Sequence, residues 1–254
     1  MDSTSHRPGS FCTTVLRATD LDRAAAFYGA LVSWTTQEVP GVSGHRLLQS
    51  GGKTVASLHQ ITSGADQWIP HVSVESVERS VAEALALGAT LVDRSEVPGI
   101  AHLATIRDPE GAVFGLWQPA PHQGAERMEE VGSLWWIEVL SNHVAGARDF
   151  YGRLFGWTSV DTSFEPFDSY TVFKRGDVQE GGILPIGQGW EISPVWNSIV
   201  EVADCDATIE RGCSLGGTEV FVHTVPKHGR IGSIADSGGA LLVFRGPVTT
   251  SQMR

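Results

Sequence analysis

The stretch Asp20-Leu-Asp-Arg-Ala-Ala-Ala-Phe-Tyr-Gly-Ala-Leu-Val-Ser-Trp34 occurs a second time, as His143-Val-Ala-Gly-Ala-Arg-Asp-Phe-Tyr-Gly-Arg-Leu-Phe-Gly-Trp157. Both copies contain Phe-Tyr-Gly, and a Trp follows six residues after the Tyr. Tyr28 and Tyr151 are 123 positions apart, and the two Trp residues keep the same offset. Apolar residues recur at helical spacing after Asp20, which predicts an amphipathic helix with a polar N-cap.

The repeat continues downstream with small changes of offset. Ala86-Leu-Gly-Ala-Thr-Leu-Val matches Ser214-Leu-Gly-Gly-Thr-Glu-Val, and Asp108-Pro-Glu-Gly-Ala matches Asp236-Ser-Gly-Gly-Ala, each 128 residues apart. Repeats of this length, near half of the chain, indicate two whole homologous domains and exclude a solenoid of short repeats.

Each half has the pattern of a strand, a helix and further strands, repeated twice, which predicts an α+β fold. A polar segment with Pro119, Pro121 and a charged run separates the halves and is typical of a linker. The predicted organisation is a disordered tail at residues 1–10, a first domain at 11–118, a linker at 119–131, a second domain at 132–247 and a tail at 248–254.

Composition narrows the class of protein. The chain has 254 residues and a net charge of −11 with no basic cluster, which argues against binding nucleic acid. It has no run of 18 apolar residues, which argues against a membrane span. Its three cysteines are an odd number without C-x-x-C spacing and fit a reducing compartment. We therefore expect a cytoplasmic protein with a small-molecule ligand, and the sequence is compatible with a homodimer.

Several motifs together resemble the vicinal oxygen chelate superfamily, which includes glyoxalase I, bleomycin-resistance proteins and extradiol dioxygenases. These motifs are Asp-Leu-x-Arg-Ala-x-x-Phe-Tyr-x-x-Leu-x-x-Trp after a strand, a Leu-Gly-Ala helix end, and Asp-Pro-x-Gly-Ala-x-Phe-x-Leu-Trp. More narrowly, the chain resembles the tandem two-domain actinobacterial members. The resemblance covers residues 11–247 and implies that each domain consists of two βαβββ modules that form a cupped sheet.

Catalytic members of this superfamily hold a divalent cation on His and Glu side chains inside the cup. The resemblance places the first-strand ligand at Thr13 and Trp136 and the last-strand ligand at Gly115 and Val243, none of which is a good ligand. The remaining position falls near Ile69 in the first domain and Asn197 in the second, with His71 two residues beyond Ile69. We therefore expect no metal and no other cofactor.

The strongest catalytic candidate is Glu138, which lies between Trp135-Trp-Ile and Val-Leu on a predicted strand. A carboxylate on a half-buried strand face has its pKa raised by desolvation and can act as a general base. The alternative is a structural carboxylate that pairs with Arg17, Arg230 or a backbone donor. His71 and His59 are further acid–base candidates, although a single strand histidine is more often a hydrogen-bonded structural residue.

Other residues are candidates for substrate binding. Thr13, Arg17 and Trp136 share the strand face of the missing metal ligands, and Asn197 lies near a ligand position. His102 lies on another predicted strand, and Arg230 either binds an oxyanion or braces its strand. The eight Trp residues favour a cup lined with indoles for a flat aromatic ligand, apart from Trp34 and Trp157, which we assign to the core.

These patterns predict a metal-independent enzyme that acts on an apolar or aromatic small molecule by acid–base catalysis. The resemblance implies a place in natural-product tailoring. A non-catalytic antibiotic-binding protein that confers self-resistance is the alternative. A metal-dependent glyoxalase-like lyase or dioxygenase is the third hypothesis.

Overall fold

The structure is a computed structural model that describes residues 6–248. Its first half contains a strand, a helix and three strands, and this unit then occurs again. The elements are β1 Phe11–Ala18, α1 Leu21–Val32, β2 Thr35–Glu38, β3 His45–Ser50, β4 Lys53–Gln60, β5 Gln67–Ser73, α2 Val77–Ala86, β6 Thr90–Val97, β7 Ala101–Arg107 and β8 Val113–Pro119.

The second half repeats the same order. Its elements are β9 Leu134–Ser141, α3 Val144–Phe155, β10 Thr158–Phe164, β11 Phe167–Arg175, β12 Val178–Pro185, β13 Val195–Glu201, α4 Cys205–Ser214, β14 Thr218–Val225, β15 Gly229–Ala235 and β16 Leu241–Gly246. The predicted α+β fold with two βαβββ modules in each half is confirmed.

The strands form two eight-stranded mixed sheets with the same topology. The first has the order β2-β3-β4-β1-β5-β8-β7-β6, and the second has the order β10-β11-β12-β9-β13-β16-β15-β14. Within each module the first strand runs parallel to the last, as β1 does to β4 and β9 to β12. The other two pairings in a module are antiparallel hairpins, because only short turns separate those strands.

The repeated stretch forms α1 as predicted. The side chain of Asp20 accepts a hydrogen bond from the backbone N–H of Arg23, which caps the helix. The buried face includes Phe27, Tyr28 and Leu31, and burying a Phe or a Leu stabilises a fold by roughly 1.5–3 kcal/mol. In the second copy His143 stands at the cap position and makes no side-chain cap.

Alternation along β1 separates its two faces. Leu16 and Ala18 belong to the hydrophobic core with α1, so Thr13, Val15 and Arg17 lie on the opposite face of the strand. This opposite face is the one on which the sequence predicts the functional residues.

The backbone divides into two compact units. Among the described residues, the terminal unit comprises residues 13–68, 125–136 and 198–248, and the central unit comprises residues 6–12, 69–124 and 137–197. Each unit therefore combines one module from the first half of the sequence with one from the second. The strands of the two sheets, by contrast, span 11–119 and 134–246.

One hydrogen-bonded chain holds the modules of the terminal unit together. Trp68 Nε1 donates to Tyr28 Oη at 2.7 Å, and Tyr28 Oη donates to Asp236 Oδ2 at 3.0 Å. Asp236 also accepts the backbone N–H groups of Gly238 and Ala240. Burial raises the pKa of Tyr28 well above its usual value, so the phenol remains a donor.

The central unit contains the equivalent chain. Trp196 Nε1 donates to Tyr151 Oη at 2.7 Å, and Tyr151 Oη donates to Asp108 Oδ2 at 2.6 Å. The Tyr of each repeated stretch thus bonds to the Asp of the other half of the sequence. Trp68 and Trp196 are only 2% exposed, so they are core residues and do not line a cup as the sequence analysis suggested.

Part of the predicted N-terminal tail is packed within the central unit. Gly9 N–H donates to Ser73 O at 2.7 Å, and Gly9 O accepts the buried indole N–H of Trp157 at 2.7 Å. Residues 1–5 and 249–254 of the two predicted tails lie outside the described residues. Among the described helices, none has the length and apolar character needed to cross a membrane.

Candidate functional site

Glu138 lies in the middle of β9 in the central unit, where it is in register with Gly182 of the parallel strand β12. Its neighbours Ile137 and Val139 are buried on the other face, and Glu138 itself is partly buried. Glu138 Oε2 accepts a hydrogen bond from Tyr170 Oη at 2.9 Å. The side chain of Asn197 forms a second hydrogen bond to the carboxylate.

The surroundings of Glu138 change its acidity. Burial raises the pKa of the carboxyl from 4.5 to about 7, because the charged form loses solvation. The hydrogen bonds from Tyr170 and Asn197 oppose this rise, because they stabilise the carboxylate. A carboxyl with a pKa near neutrality exchanges its proton readily at physiological pH, which suits a general acid or base.

Gly182 makes room for the Tyr170 phenol. Tyr170 lies on β11, two residues from Val172, which is in register with Gly182. A Cβ added at Gly182 would lie 2.1 Å from Tyr170 Oη, so any side chain at this position would displace the phenol. Tyr170 was not among the candidates that the sequence suggested. The Gly181-Gly182 pair in β12 is the available sequence signal, because glycines inside a strand mark a close approach of another group.

Hydrophobic side chains surround the phenol. Leu140, Tyr170 and Leu184 form a small buried cluster, and Phe164 and Phe167 pack against it. The ring centroids of Phe164 and Tyr170 are 5.1 Å apart, and those of Phe164 and Phe167 are 5.5 Å apart. Tyr170 therefore joins an aromatic cluster to the Glu138 carboxylate.

His71 is buried on β5 in the central unit. Its Nδ1 lies 2.9 Å from the carbonyl oxygen of Ile69, so Nδ1 carries a proton. His71 is in register with Gly115, and a Cβ at Gly115 would lie 2.1 Å from His71 Cδ2. The imidazole thus occupies the space that a side chain at 115 would need. The imidazole also packs edge-on against Trp117, with the ring centroids 6.2 Å apart.

His59 belongs to the terminal unit. It lies on β4 in register with Arg17 of β1 and with His45 of β3, so the three side chains share one sheet face. The ring centroids of His45 and His59 are 5.8 Å apart. Arg17 and His59 are among the residues predicted for the site, and His45 is an addition from the structure.

The other predicted residues lie in varied environments. Thr13 is buried at 2% exposure, and the ring centroids of Trp136 and Trp135 are 6.3 Å apart. His102 is exposed, with Nδ1 3.8 Å from a carboxylate oxygen of its neighbour on β6. Arg230 Nε donates to Asp206 at 2.8 Å, which fits the strand-bracing alternative. Among the predicted residues, Glu138 and Asn197 are joined by a hydrogen bond.

The chemistry of the expected ligand positions does not fit the divalent cation of the catalytic relatives. The first-strand positions are Thr13 and Trp136, and the last-strand positions are Gly115 and Val243. Because the His71 ring lies over Gly115, the last strand of the first half has no room there for a carboxylate. Within residues 6–248, no three His, Cys, Asp or Glu side chains are grouped so that they could hold a metal ion.

Comparison with known proteins supports the fold and the tandem arrangement. A family model described as a glyoxalase-like domain matches residues 13–117. The chain is 30% identical over 256 residues to the anthracycline biosynthesis protein DauV of Streptomyces sp. (strain C5), covering 93% of each chain. It is 28% identical over 247 residues to the putative glyoxylase CFP32 of Mycobacterium tuberculosis, covering 93% of this chain and 94% of that protein.

Solved structures of low sequence identity share the fold. The Mn(II)-bound glyoxalase from Novosphingobium aromaticivorans has a TM-score of 0.63 at 15% identity, covering 96% of this chain and 83% of that chain. An extradiol ring-cleaving dioxygenase from B. fuscum has a TM-score of 0.63 at 14% identity, covering 98% of this chain and 75% of that chain. The chain therefore belongs to the glyoxalase-like group of the vicinal oxygen chelate superfamily, in its tandem two-domain form.

Proposed function

We propose that this protein is a metal-independent enzyme that acts on an apolar or aromatic small molecule by acid–base catalysis, with Glu138 as the base. One observation carries the proposal: a carboxyl with a pKa of about 7 is hydrogen-bonded to Tyr170 and Asn197 beside a hydrophobic cluster. Strongly shifted carboxyl groups of this kind are frequent at catalytic sites.

In this proposal Glu138 takes a proton from a substrate C–H or O–H group next to a carbonyl. Tyr170 donates a hydrogen bond to Oε2 of Glu138, and the carboxylate accepts the proton. Once Glu138 is neutral it is a weaker acceptor, and the Tyr170 hydroxyl can then donate to the oxygen on which the substrate's negative charge develops. Asn197 keeps the carboxyl group oriented through both steps.

The names of related proteins suggest a setting for this chemistry. DauV and DnrV are described as anthracycline biosynthesis proteins, and DnrV of Streptomyces peucetius is 29% identical to this chain over 256 residues, covering 93% of each. We place the protein in natural-product tailoring on this basis. We place it in the cytoplasm because Cys12, Cys205 and Cys213 are free thiols.

A binding protein without turnover is the second candidate. The aromatic cluster of Phe164, Phe167 and Tyr170 favours it, because such a surface can retain an apolar compound whether or not Glu138 reacts with it. A protein of this kind would confer self-resistance by sequestering an antibiotic.

Proton exchange distinguishes the two functions. Aromatic polyketide ketones are incubated with the protein in D₂O, and deuterium incorporation next to the carbonyl is followed by NMR. We expect exchange with the wild type and a loss of about 10²–10⁴-fold in Glu138→Gln. Glu180→Gln is the matched control, because Glu180 is a buried carboxylate of the same unit that pairs with Arg175.

Two results would contradict the proposed enzyme. Ligand binding without exchange by the wild type would favour sequestration. Exchange at the wild-type rate in a folded Glu138→Gln variant would remove Glu138 from the reaction.

A further inference from the structure

Three aromatic side chains at strand ends and in a loop extend the aromatic cluster around Tyr170. Phe164 ends β10, Phe167 begins β11, and Trp190 lies in the loop between β12 and β13. All three belong to the central unit, as do Glu138 and Tyr170. Trp190 is one of the tryptophans that the sequence assigns to an aromatic-lined cup, whereas Phe164 and Phe167 were not predicted.

The rings form a continuous series that begins at the carboxylate. Tyr170 bonds to Glu138 through its hydroxyl, and its ring meets Phe164 at 5.1 Å. The ring centroids of Phe164 and Phe167 are 5.5 Å apart, and those of Phe167 and Trp190 are 6.4 Å apart in an edge-on arrangement. Each spacing is within the range of favourable aromatic contacts.

Exposure increases along this series. Tyr170 is 4% exposed and Trp190 is 43% exposed, while Phe164 and Phe167 are intermediate. Trp190 is thus the most exposed ring of the series. The series therefore leads from solvent at Trp190 to the reactive carboxyl at Glu138.

The backbone holds Trp190 in this position. Trp190 N–H donates to Gly187 O at 3.1 Å, which closes a turn. A Cβ at Gly187 would lie 3.0 Å from the indole, so the ring folds back across a residue without a side chain. The local turn and the contact with Phe167 together position the indole.

We propose that Phe164, Phe167 and Trp190 form the binding surface for a planar aromatic ring system, whose oxygen-bearing edge reaches Glu138 and Tyr170. The inference rests on the proposed function for the identity of the reacting end. Planar rings match the chemistry of this surface, because they can stack on or meet edge-on several aromatic side chains at once. The hydroxyl and carboxyl groups at the inner end suit a carbonyl or phenol oxygen.

The test measures binding of 1,4-dihydroxyanthraquinone, a planar probe with oxygen substituents, by equilibrium dialysis. A bulky apolar alcohol, 1-adamantanol, serves as the non-planar comparison. We expect the wild type to bind the planar probe more tightly than the adamantane probe. We expect Phe167→Leu and Trp190→Leu each to raise the Kd for the planar probe by about 3–10-fold, as the loss of one aromatic contact predicts.

Two further variants control the interpretation. Phe221→Leu makes the same change at a partly buried Phe of β14 in the terminal unit, and it should leave the Kd unchanged. Trp190→Phe keeps a ring and should retain most of the affinity. Wild-type affinity in both Phe167→Leu and Trp190→Leu, or equal binding of the two probes by the wild type, would overturn the proposal.

The outcome is separable from that of the proposed function. Reduced probe affinity in the ring variants, with no proton exchange by the wild type, would support the binding surface and contradict the enzyme. Unchanged affinity in the ring variants, with exchange lost in Glu138→Gln, would support the enzyme and contradict the binding surface.

Discussion

The phenol oxygen of Tyr170 lies 2.9 Å from Oε2 of Glu138, and this contact depends on the absence of a side chain at Gly182. Three strands contribute: β9 carries the carboxylate, β12 carries the glycine beside it, and β11 carries the tyrosine. A partly buried carboxylate of this kind would be unfavourable without donors, and Tyr170 and Asn197 supply them. The arrangement keeps a titratable group near neutrality inside a hydrophobic surface.

The stability of the protein should depend on pH through Glu138. Because the folded-state pKa is raised from 4.5 to about 7, the contribution of Glu138 to stability is fully present below pH 4.5 and is lost as pH rises through 7. Glu138→Gln stays neutral, so its unfolding free energy relative to wild type should rise between pH 5 and pH 8. The upper limit is about 3 kcal/mol at 1.36 kcal/mol per pKa unit.

Urea unfolding of both proteins at several pH values checks this prediction. The quantity of interest is how the difference in unfolding free energy between Glu138→Gln and wild type changes with pH. The amide also alters hydrogen bonding, but this contribution does not vary with pH. Parallel stability curves across this range would show that Glu138 titrates normally.

Tyr170→Phe should raise the pKa of Glu138 further. The hydroxyl stabilises the carboxylate, and its loss removes a hydrogen bond to a charged group, worth about 1.5–3 kcal/mol or roughly one to two pKa units. The pH–rate profile of proton exchange should therefore move to higher pH. A purely structural role for Tyr170 would lower the melting temperature and leave the midpoint of the profile where it is in the wild type.

Gly115→Ala should destabilise the protein through its contact with His71. The added Cβ would lie 2.1 Å from the imidazole, and overpacking of this kind costs about 1–3 kcal/mol. His71→Ala removes the ring, so the double variant should be more stable than the sum of the two single changes predicts. Chemical denaturation of the four proteins gives the coupling energy, and strict additivity would mean that the two sites do not compete for space.

Metal should be irrelevant to proton exchange. Thr13, Gly115, Trp136 and Val243 stand at the positions where the resemblance places ligands, and none supplies a good donor for a divalent cation. Elemental analysis of protein purified without added metal should find far less than one equivalent of Fe, Ni, Mn or Zn per chain. Stoichiometric metal that EDTA removes together with the activity would refute this prediction.

Local patterns were sufficient for much of the fold. The repeat at Tyr28 and Tyr151, the helix spacing after Asp20 and the alternation along β1 each depend on residues close in sequence, and the structure confirms the elements that they predict. Glu138 also stood out locally, because apolar neighbours flank one carboxylate on a predicted strand. Its raised pKa follows from the burial that those neighbours indicate.

The sequence by itself determined the duplication, the βαβββ modules and the strand face that carries Glu138, because these follow from periodicities of a few residues. Only the tertiary structure decided which groups meet on that face. Tyr170 reaches Glu138 through the register of β11, β12 and β9, and Tyr28 bonds to Asp236 from the other half of the chain. Such contacts join residues far apart in sequence, and packing between modules selects them, so no local pattern contains them.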